Sequence, residues 1–202
     1  MKSVSEGVDK MVSKSFESGI RILAAALDAI KIEFLEKAVE KLLLARRIYS
    51  YAAGSSGLLA SEVEYRFVRF GMNCIAIQDP IQMVVQSSLI SSQDVVLAFS
   101  QTGRNRRTIE GLARARMAGA TTIGVTRRAR SPFLLHTDIP LVLEDSNTRT
   151  RESIPYPRIP ELLLVDALTH CVATARKTPV CSQVDKNVER MLNHSPKTNS
   201  SR

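Results

Sequence analysis

Apolar residues follow a helical period in the first part of the chain, from about residue 8 to residue 44. The apolar positions recur three or four residues apart, as on one face of an amphipathic helix. They are Ile20, Leu23, Ala24, Leu27 and Ile30. This spacing predicts a long first helix and a second helix over about residues 33–45. A strongly apolar helix is predicted over about 159–177, and a shorter amphipathic one over about 182–192.

Between these helices, short apolar runs alternate with helical segments. The runs are predicted to be strands over residues 47–51, 72–77, 94–99, 121–126 and 139–143. Helices are predicted over about 58–70 and 80–89, and a third runs from the loop that ends at Arg104 to about residue 118, with Gly119 as its C-cap. Leu134 and Leu135 are predicted to lie in a short helical turn. Such alternation predicts an α/β fold with a five-stranded, parallel, doubly wound sheet of the flavodoxin-like kind. Pro140 has no N–H to donate, which places the last strand at an edge of the sheet.

The pattern divides the chain into one domain and two extensions. Residues 1–45 are predicted to be helices that pack on the domain, and residues 46–178 the α/β domain itself. Residues 179–202 are predicted to be a C-terminal helix and a disordered tail. The segment 144–157 is polar and is predicted to be a loop.

Two loops carry the residues best suited to binding an anion. One loop, Ala-Ala-Gly-Ser-Ser-Gly over 52–57, follows the first predicted strand, and Ser-Gln-Thr-Gly over 100–103 follows the third. With the strand order 2-1-3-4-5 these two strands are neighbours, and ligands bind beyond their carboxyl ends. Glycines allow close approach, hydroxyls donate hydrogen bonds, and N–H groups at helix N-termini attract phosphate. The predicted ligand-binding residues are Gly54, Ser55, Ser56, Ser100, Gln101, Thr102, Gly103 and Arg104.

Purely structural roles are also compatible with these loops. Ser and Gly after a strand are common in ordinary turns, and Ser55 and Ser56 would also serve as helix N-caps. Arg104 fits a clamp for a second anionic group such as a carboxylate, or a free surface arginine. Arg158, just before the late apolar helix, is a weaker candidate for the same clamping role.

The chain is basic, with 28 Lys and Arg against 20 Asp and Glu and a net charge of +8, which favours an anionic partner. Eight arginines but a single acid, Glu110, lie between residues 101 and 130. Arg114 and Arg116 are interpreted as a solvated helix face, and Arg104 as part of an electropositive opening to a phosphate site. Direct binding of nucleic acid is a further alternative, but no groove-reading motif supports it.

Several functional classes are not indicated. The three cysteines form neither a disulfide framework nor a zinc motif, and no cofactor or metal is predicted. The first residues lack the apolar core of a signal peptide, and no apolar run is long enough to span a membrane. A cytoplasmic protein is therefore expected.

The second loop and its surroundings resemble the sugar isomerase (SIS) domain. That family has a Ser-x-Ser-Gly phosphosugar loop, to which Ser100-Gln-Thr-Gly103 is similar, and Ser131-Pro132 also fits. Within the family, the loop with Arg104, the pair Asp79-Pro80 and the stretch 158–168 resemble the ligand domain of RpiR- and HexR-type transcriptional regulators. The family's Gly and Thr are replaced here by Ala52 and Asn105.

The resemblance implies a phosphosugar or sugar-acid phosphate ligand and an effector-sensing role in a regulator of carbohydrate metabolism. It also implies a homodimer or higher even oligomer, supported by the apolar helix 159–177, which is either an interface or a core helix. DNA would be contacted only through a helix-turn-helix domain absent from this chain.

The alternative function is a phosphosugar aldose–ketose isomerase, which needs a general base. Glu64 is the candidate if the chain is an isomerase, and Glu161 is the other carboxylate that could reach the site. The histidines fit less well, because His136 precedes the last strand, His170 is expected to be packed or in an interface, and His194 lies in the tail.

Overall fold

The computed structural model describes residues 2–143, 157–176 and 180–193. Seven helices and five strands follow one another in these ranges. The helices are α1 (Lys2–Ala29), α2 (Ile32–Leu44), α3 (Gly57–Arg69), α4 (Pro80–Ser87), α5 (Arg106–Met117), α6 (Ile159–Arg176) and α7 (Val180–Asn193). The strands are β1 (Arg47–Tyr51), β2 (Cys74–Ile77), β3 (Asp94–Phe99), β4 (Thr121–Thr126) and β5 (Ile139–Val142). Single 3-10 turns span Gly54–Ser56 and Pro132–His136.

All five strands pair in parallel in the order β2-β1-β3-β4-β5. This confirms the predicted doubly wound sheet, and Pro140 lies on the edge strand β5 as expected. Every residue of β3 is buried, as a central strand covered on both faces requires.

Helices cover both faces of the sheet and enclose two apolar clusters. On one face, Ile48, Leu97 and Ile123 pack against α2, α3 and α6. On the other face, Val96 and Ala98 pack against α4, α5 and the second 3-10 turn. Buried residues of α6 belong to the first cluster, namely Leu164, Val165, Leu168 and Val172. The interpretation of this apolar helix as a core helix is therefore confirmed for these four positions.

Strand β2 begins two residues later than predicted. The N–H of Met72 donates to the carbonyl of Phe67, and Gly71 has a φ of 71°. This left-handed ending of α3 uses the N–H group of Met72 to close the helix, so Met72 does not join the sheet.

The predicted apolar face of α1 packs on the domain only in part, since Ile30, just after the helix, packs against the first cluster. Gly19, Ile22 and Ala26 face the domain, whereas Ile20 and Leu27 are exposed. His170 is also exposed, so it does not pack in the core, and its predicted place in an interface stays a prediction. The predicted loop lies outside the described residues except for Pro157, and the predicted tail with His194 lies outside them altogether.

Candidate functional site

The two predicted loops leave neighbouring strands at the same height. Tyr51 at the end of β1 pairs with Ala98 of β3, so the next residues of the two strands lie side by side. Paired strands are about 4.8 Å apart, so the loops start within hydrogen-bonding reach of one small ligand. The strand order reverses here, because β2 lies on one side of β1 and β3 on the other.

The second loop is a tight turn whose shape depends on Gly103. Gly103 has a φ of 62°, and its N–H donates to the carbonyl of Ser100 at 2.9 Å. A Cβ at this position would lie within 2.4 Å of both the Cβ and the Oγ of Ser131. Further bonds fix the loop to the segment after β4, since the N–H of Arg127 donates to the Gln101 carbonyl and that of Phe133 to the Gly103 carbonyl.

Several donors of this loop have no partner among the described residues. The backbone N–H groups of Gln101, Thr102 and Arg104 make no hydrogen bond there. The side-chain nitrogen of Gln101 and the hydroxyl of Ser131 are enclosed and also unsatisfied. Buried polar groups are rarely left unpaired in proteins. The loop therefore presents hydrogen-bond donors to something other than the described parts of its own chain.

The N–H groups in the first turn of α5 were expected to bind an anion, but two of them are already bonded within the protein. The side chain of Asn105 accepts hydrogen bonds from the N–H groups of Arg107 and Thr108, at 3.1 and 3.2 Å. These two groups are occupied, so the expectation is wrong for them. Asparagine is among the strongest N-cap residues. At this position, where the family usually has threonine, Asn105 caps α5.

The first loop contains another left-handed glycine, Gly54, with a φ of 63°. Its carbonyl accepts a hydrogen bond from the N–H of Gly57, which closes the 3-10 turn. Ser56 occupies the N-cap position of α3, but its hydroxyl makes no capping bond. The interpretation of Ser56 as a capping side chain is therefore wrong, and its hydroxyl is available to a ligand.

Arg158 reaches the first loop from the start of α6. Its guanidinium donates to the hydroxyl of Ser55 at 2.6 Å, across 103 positions of sequence. The Nε of the same guanidinium is enclosed without a partner. Arg158 therefore brings a positive charge to the loop together with an unsatisfied donor. Arg104, on the second loop, is exposed.

A buried ion pair holds the start of α6 in this position. Arg127, just after β4, donates through two nitrogens to the two carboxylate oxygens of Glu161, both at 2.7 Å. Both side chains are almost fully buried, and Arg127 also donates to the carbonyl of Pro157. The position of Glu161 in the sequence predicts a carboxylate that could reach a ligand, but its two oxygens are engaged by Arg127. No feature of the sequence indicates this pair.

The remaining titratable candidates lie away from the two loops. Burial raises the pKa of the Cys74 thiol to about 12, and the charge of Glu64 adds to the shift. Glu64 lies within α3, seven residues after this helix begins at the first loop, which places it about 10 Å along the helix from that loop. The carbonyl of His136 accepts from the hydroxyl of Thr122, near the start of β4, so His136 lies towards the amino ends of the strands.

Two arginines of α5 are paired with acids, as expected for a solvated helix face. Arg114 pairs with Glu110 at 3.0 Å and Arg116 with Asp138 at 2.9 Å. Among the described residues, no cluster of His, Cys, Asp or Glu has the size of a metal site. Within the same ranges, no helix is both long and apolar enough to cross a bilayer.

The arrangement is that of a doubly wound α/β domain with a candidate site for an anion at its topological switch point. Hydroxyls and backbone N–H groups supply neutral donors, and Arg104 and Arg158 supply positive charge at the two loops. The sequence model of the SIS domain family matches residues 41–154, which is more than half of the chain. The chain belongs to the SIS domain family.

Similar proteins include transcriptional regulators. An uncharacterized HTH-type transcriptional regulator of Clostridium perfringens is 27% identical over 163 residues, covering 81% of this chain. The chain spans 58% of the length of that relative. Among solved structures, the Vibrio vulnificus NanR protein complexed with ManNAc-6P has a TM-score of 0.81 at 20% identity, over 93% of this chain and 70% of NanR. The sugar isomerase domain of an RpiR transcription factor from Sphaerobacter thermophilus has a TM-score of 0.80 at 21% identity, over 90% of this chain and 99% of that domain. At these identities, the two structures establish the shared fold.

Proposed function

We propose that this chain binds a phosphosugar between its two loops and serves as the effector-sensing domain of an RpiR-type transcriptional regulator of carbohydrate metabolism. Ser100, Thr102 and the unpaired N–H groups of their loop hold the phosphate. Ser55 and Ser56 bind from the opposite side, while Gly54 and Gly103 give the loops their shape. Arg104 and Arg158 read a second anionic or strongly accepting group, and Gln101 orients the sugar.

The observation that carries the proposal is the set of donors left unsatisfied at the switch point. Donors without an acceptor raise the free energy of the empty site, and a phosphate has enough acceptors to satisfy several of them at once. The Gln101 side-chain nitrogen and the Ser131 hydroxyl adjoin the same turn. The NanR structure, which has this fold, contains ManNAc-6P, and this supports a sugar phosphate as the ligand class.

Sensing is favoured over isomerisation because of where the carboxylates lie. Glu161 is bound to Arg127, and Glu64 lies about 10 Å along α3 from the first loop. An isomerase needs a base within hydrogen-bonding reach of the sugar C1–C2 bond. A coupled ketose–aldose assay is expected to show no turnover. Turnover that Glu64→Gln abolishes would establish the isomerase instead.

The regulatory half of the proposal extends beyond these residues. The Clostridium relative is an HTH-type regulator and is longer than the aligned region. We propose that DNA is contacted through a helix-turn-helix domain outside this chain, and that the assembly is a homodimer or a higher even oligomer. The contact between Arg158 and Ser55 couples the site to α6, so ligand binding is expected to shift this helix.

Ligand binding is tested by thermal unfolding and calorimetric titration of the whole chain. The panel contains inorganic phosphate, glucose 6-phosphate, ManNAc-6P and 6-phosphogluconate, with glucose and gluconate as unphosphorylated controls. A ligand that binds only the folded state stabilises it by about 2.7 kcal/mol at a hundred times its Kd. At least one sugar phosphate is expected to raise the Tm, and the unphosphorylated sugars are not.

A pair of variants locates the effect. The double change Ser100→Ala with Thr102→Val is expected to abolish the Tm shift, because it removes two hydroxyl donors from the second loop. Ser92→Ala removes an exposed hydroxyl at the other end of the sheet and is expected to keep the shift. No shift with any sugar phosphate, or an equal shift in the double variant, would contradict the proposal.

A further inference from the structure

The first half of α1 extends past the domain. Residues 7–17 are all exposed, and the positions that pack on the domain begin at Gly19. A Cβ at Gly19 would lie 3.8 Å from Ile159 of α6, which shows where this packing occurs. The exposed stretch of eleven residues is about 16 Å long at the helical rise.

This extended part carries a broad apolar face. Its large apolar side chains each expose half or more of their surface, and the face continues along the packed half of α1. They are Val8, Met11, Val12, Phe16, Ile20 and Leu27. Ile159 and Leu163 of α6 are exposed too, and Ile159 lies beside α1. The apolar surface therefore continues from the helix onto the domain.

The size of this face indicates a protein interface. Six such side chains expose apolar surface on the order of 600 Å², at the upper end for the largest patch of a monomer. Each partner in a standard protein interface contributes about 800 Å². Helices also gain most of their stability in water from packing of an apolar face, which residues 7–17 lack within the described chain.

The charges of α1 favour a second copy of this chain over an anionic partner. The helix contains four basic residues (Lys2, Lys10, Lys14 and Arg21) and four acidic ones (Glu6, Asp9, Glu17 and Asp28), so its net charge is zero. The whole chain carries +8, so this excess lies entirely outside α1. A helix that binds a nucleic acid or an anionic membrane has a basic polar face. Two copies of a basic chain repel each other least along a neutral helix.

We propose that the apolar face of α1 is the surface through which two copies of this chain associate. In a two-fold arrangement each α1 covers the exposed face of the other, since a symmetric interface uses the same patch on both partners. Helix α6 contributes through the exposed side chains beside α1, while its buried residues stay in the core of their own domain. The proposed interface rests on the homodimer proposed above and does not depend on the ligand.

Sedimentation velocity and light scattering of the full chain over a wide concentration range test the proposal. The wild type is expected to show twice the chain mass. Phe16→Glu puts a charge in the centre of the face and is expected to raise the dissociation constant of the dimer at least about thirtyfold, as for a central interface residue. Met117→Glu makes the same kind of change at an exposed position of α5 and is expected to leave the dimer intact.

Hydrogen exchange of the wild-type chain gives a second readout that needs no variant. The amides of residues 7–17 are expected to exchange slowly at high concentration and faster on dilution. A monomeric wild type at high concentration, or a dimer that Phe16→Glu leaves unchanged, would overturn the proposal. Protection that does not change with concentration would also overturn it, because another part of the same chain would then cover the helix.

Discussion

The polar groups at the two ends of strand β3 differ in whether they have hydrogen-bond partners. At its amino end, Asp94 accepts two hydrogen bonds from Arg46, at 2.9 and 2.7 Å, and two from the N–H and hydroxyl of Ser91. Just beyond its carboxyl end, Ser100 opens the loop in which several donors have no partner among the described residues. In the structural polar cluster the protein's own groups form the hydrogen bonds, whereas in the candidate binding site several donors have no acceptor among the described residues.

A shallow cavity of about 270 Å³ lies at the amino end, and among the residues that line it are Arg46, Met72 and Arg176. Arg46 is already bound to Asp94, which holds its charge in a completed pair. The unsatisfied donors, and not this cavity, are therefore the feature that makes the carboxyl end the candidate site.

The largest effect is expected from Gly103→Ala. The new methyl group combines a left-handed backbone with a collision against Ser131, so we expect the free energy of unfolding to fall by about 3 kcal/mol, together with loss of phosphosugar binding. Gly119→Ala is the counterpart at the amino end, with a φ of 94° but only ordinary contacts with Ser92. It is expected to lose about 1 kcal/mol from backbone strain and to bind normally. Urea denaturation measures both variants, and equal losses would contradict this distinction.

Breaking the buried ion pair at the carboxyl end comes next. Glu161→Gln leaves the charge of Arg127 buried without its carboxylate, and we expect a loss of about 3 kcal/mol in denaturant unfolding. The double variant Arg127→Met with Glu161→Leu replaces the pair by apolar side chains and is expected to recover most of that stability. If the double variant were as unstable as the single one, the pair would be stabilising in itself and not only required to be complete.

The polar cluster at the amino end is expected to have a smaller effect, which depends on pH. Burial alone would raise the pKa of Asp94, but hydrogen bonds from Arg46 and Ser91 outweigh it and hold the pKa below its ordinary value. A carboxylate with a lowered pKa stabilises the fold above its unfolded pKa of about 4, and this contribution is lost as the pH falls through the folded value.

Asp94→Asn tests that contribution. The variant is expected to lose about 2 kcal/mol at neutral pH. Its deficit relative to the wild type should shrink on acidification below about pH 4. Thermal unfolding across this range provides the measurement, and sugar-phosphate affinity at neutral pH is expected to stay unchanged. A deficit that is the same at every pH would show that the charge of Asp94 does not stabilise the fold.

The bounds of most strands and the positions of the two loops could be predicted, because short stretches of sequence determine them. Strands β1, β3 and β4 have the predicted bounds, since short apolar runs end at polar or small residues. The loops 52–57 and 100–103 could be located because glycine and hydroxyl residues follow the two strands that meet at the switch point. The start of β2 was missed because the Met72 N–H group closes α3, which no periodicity indicates.

Contacts between distant parts of the chain could not be predicted. Arg127 and Glu161 are 34 positions apart, and Arg158 and Ser55 are 103 apart. Such pairs are created by the packing of α6 against the sheet, and neither composition nor spacing encodes them. The sequence therefore located the loops but missed the ion pair and the contact of Arg158 with Ser55 beside the candidate site.

The smallest effect, and the sharpest test of the carboxyl end, is expected from Arg158. Arg158→Ala removes a guanidinium at a partly exposed position, so stability should change by less than about 0.5 kcal/mol. If Arg158 reads a second anionic group, affinity for 6-phosphogluconate should fall about tenfold, or about 1.4 kcal/mol, and affinity for glucose 6-phosphate should fall less. Arg130→Ala removes the same charge from an exposed position after β4 and controls for net charge. Equal losses for both ligands in calorimetric titration would place Arg158 on the phosphate, and no loss for either would remove it from the site.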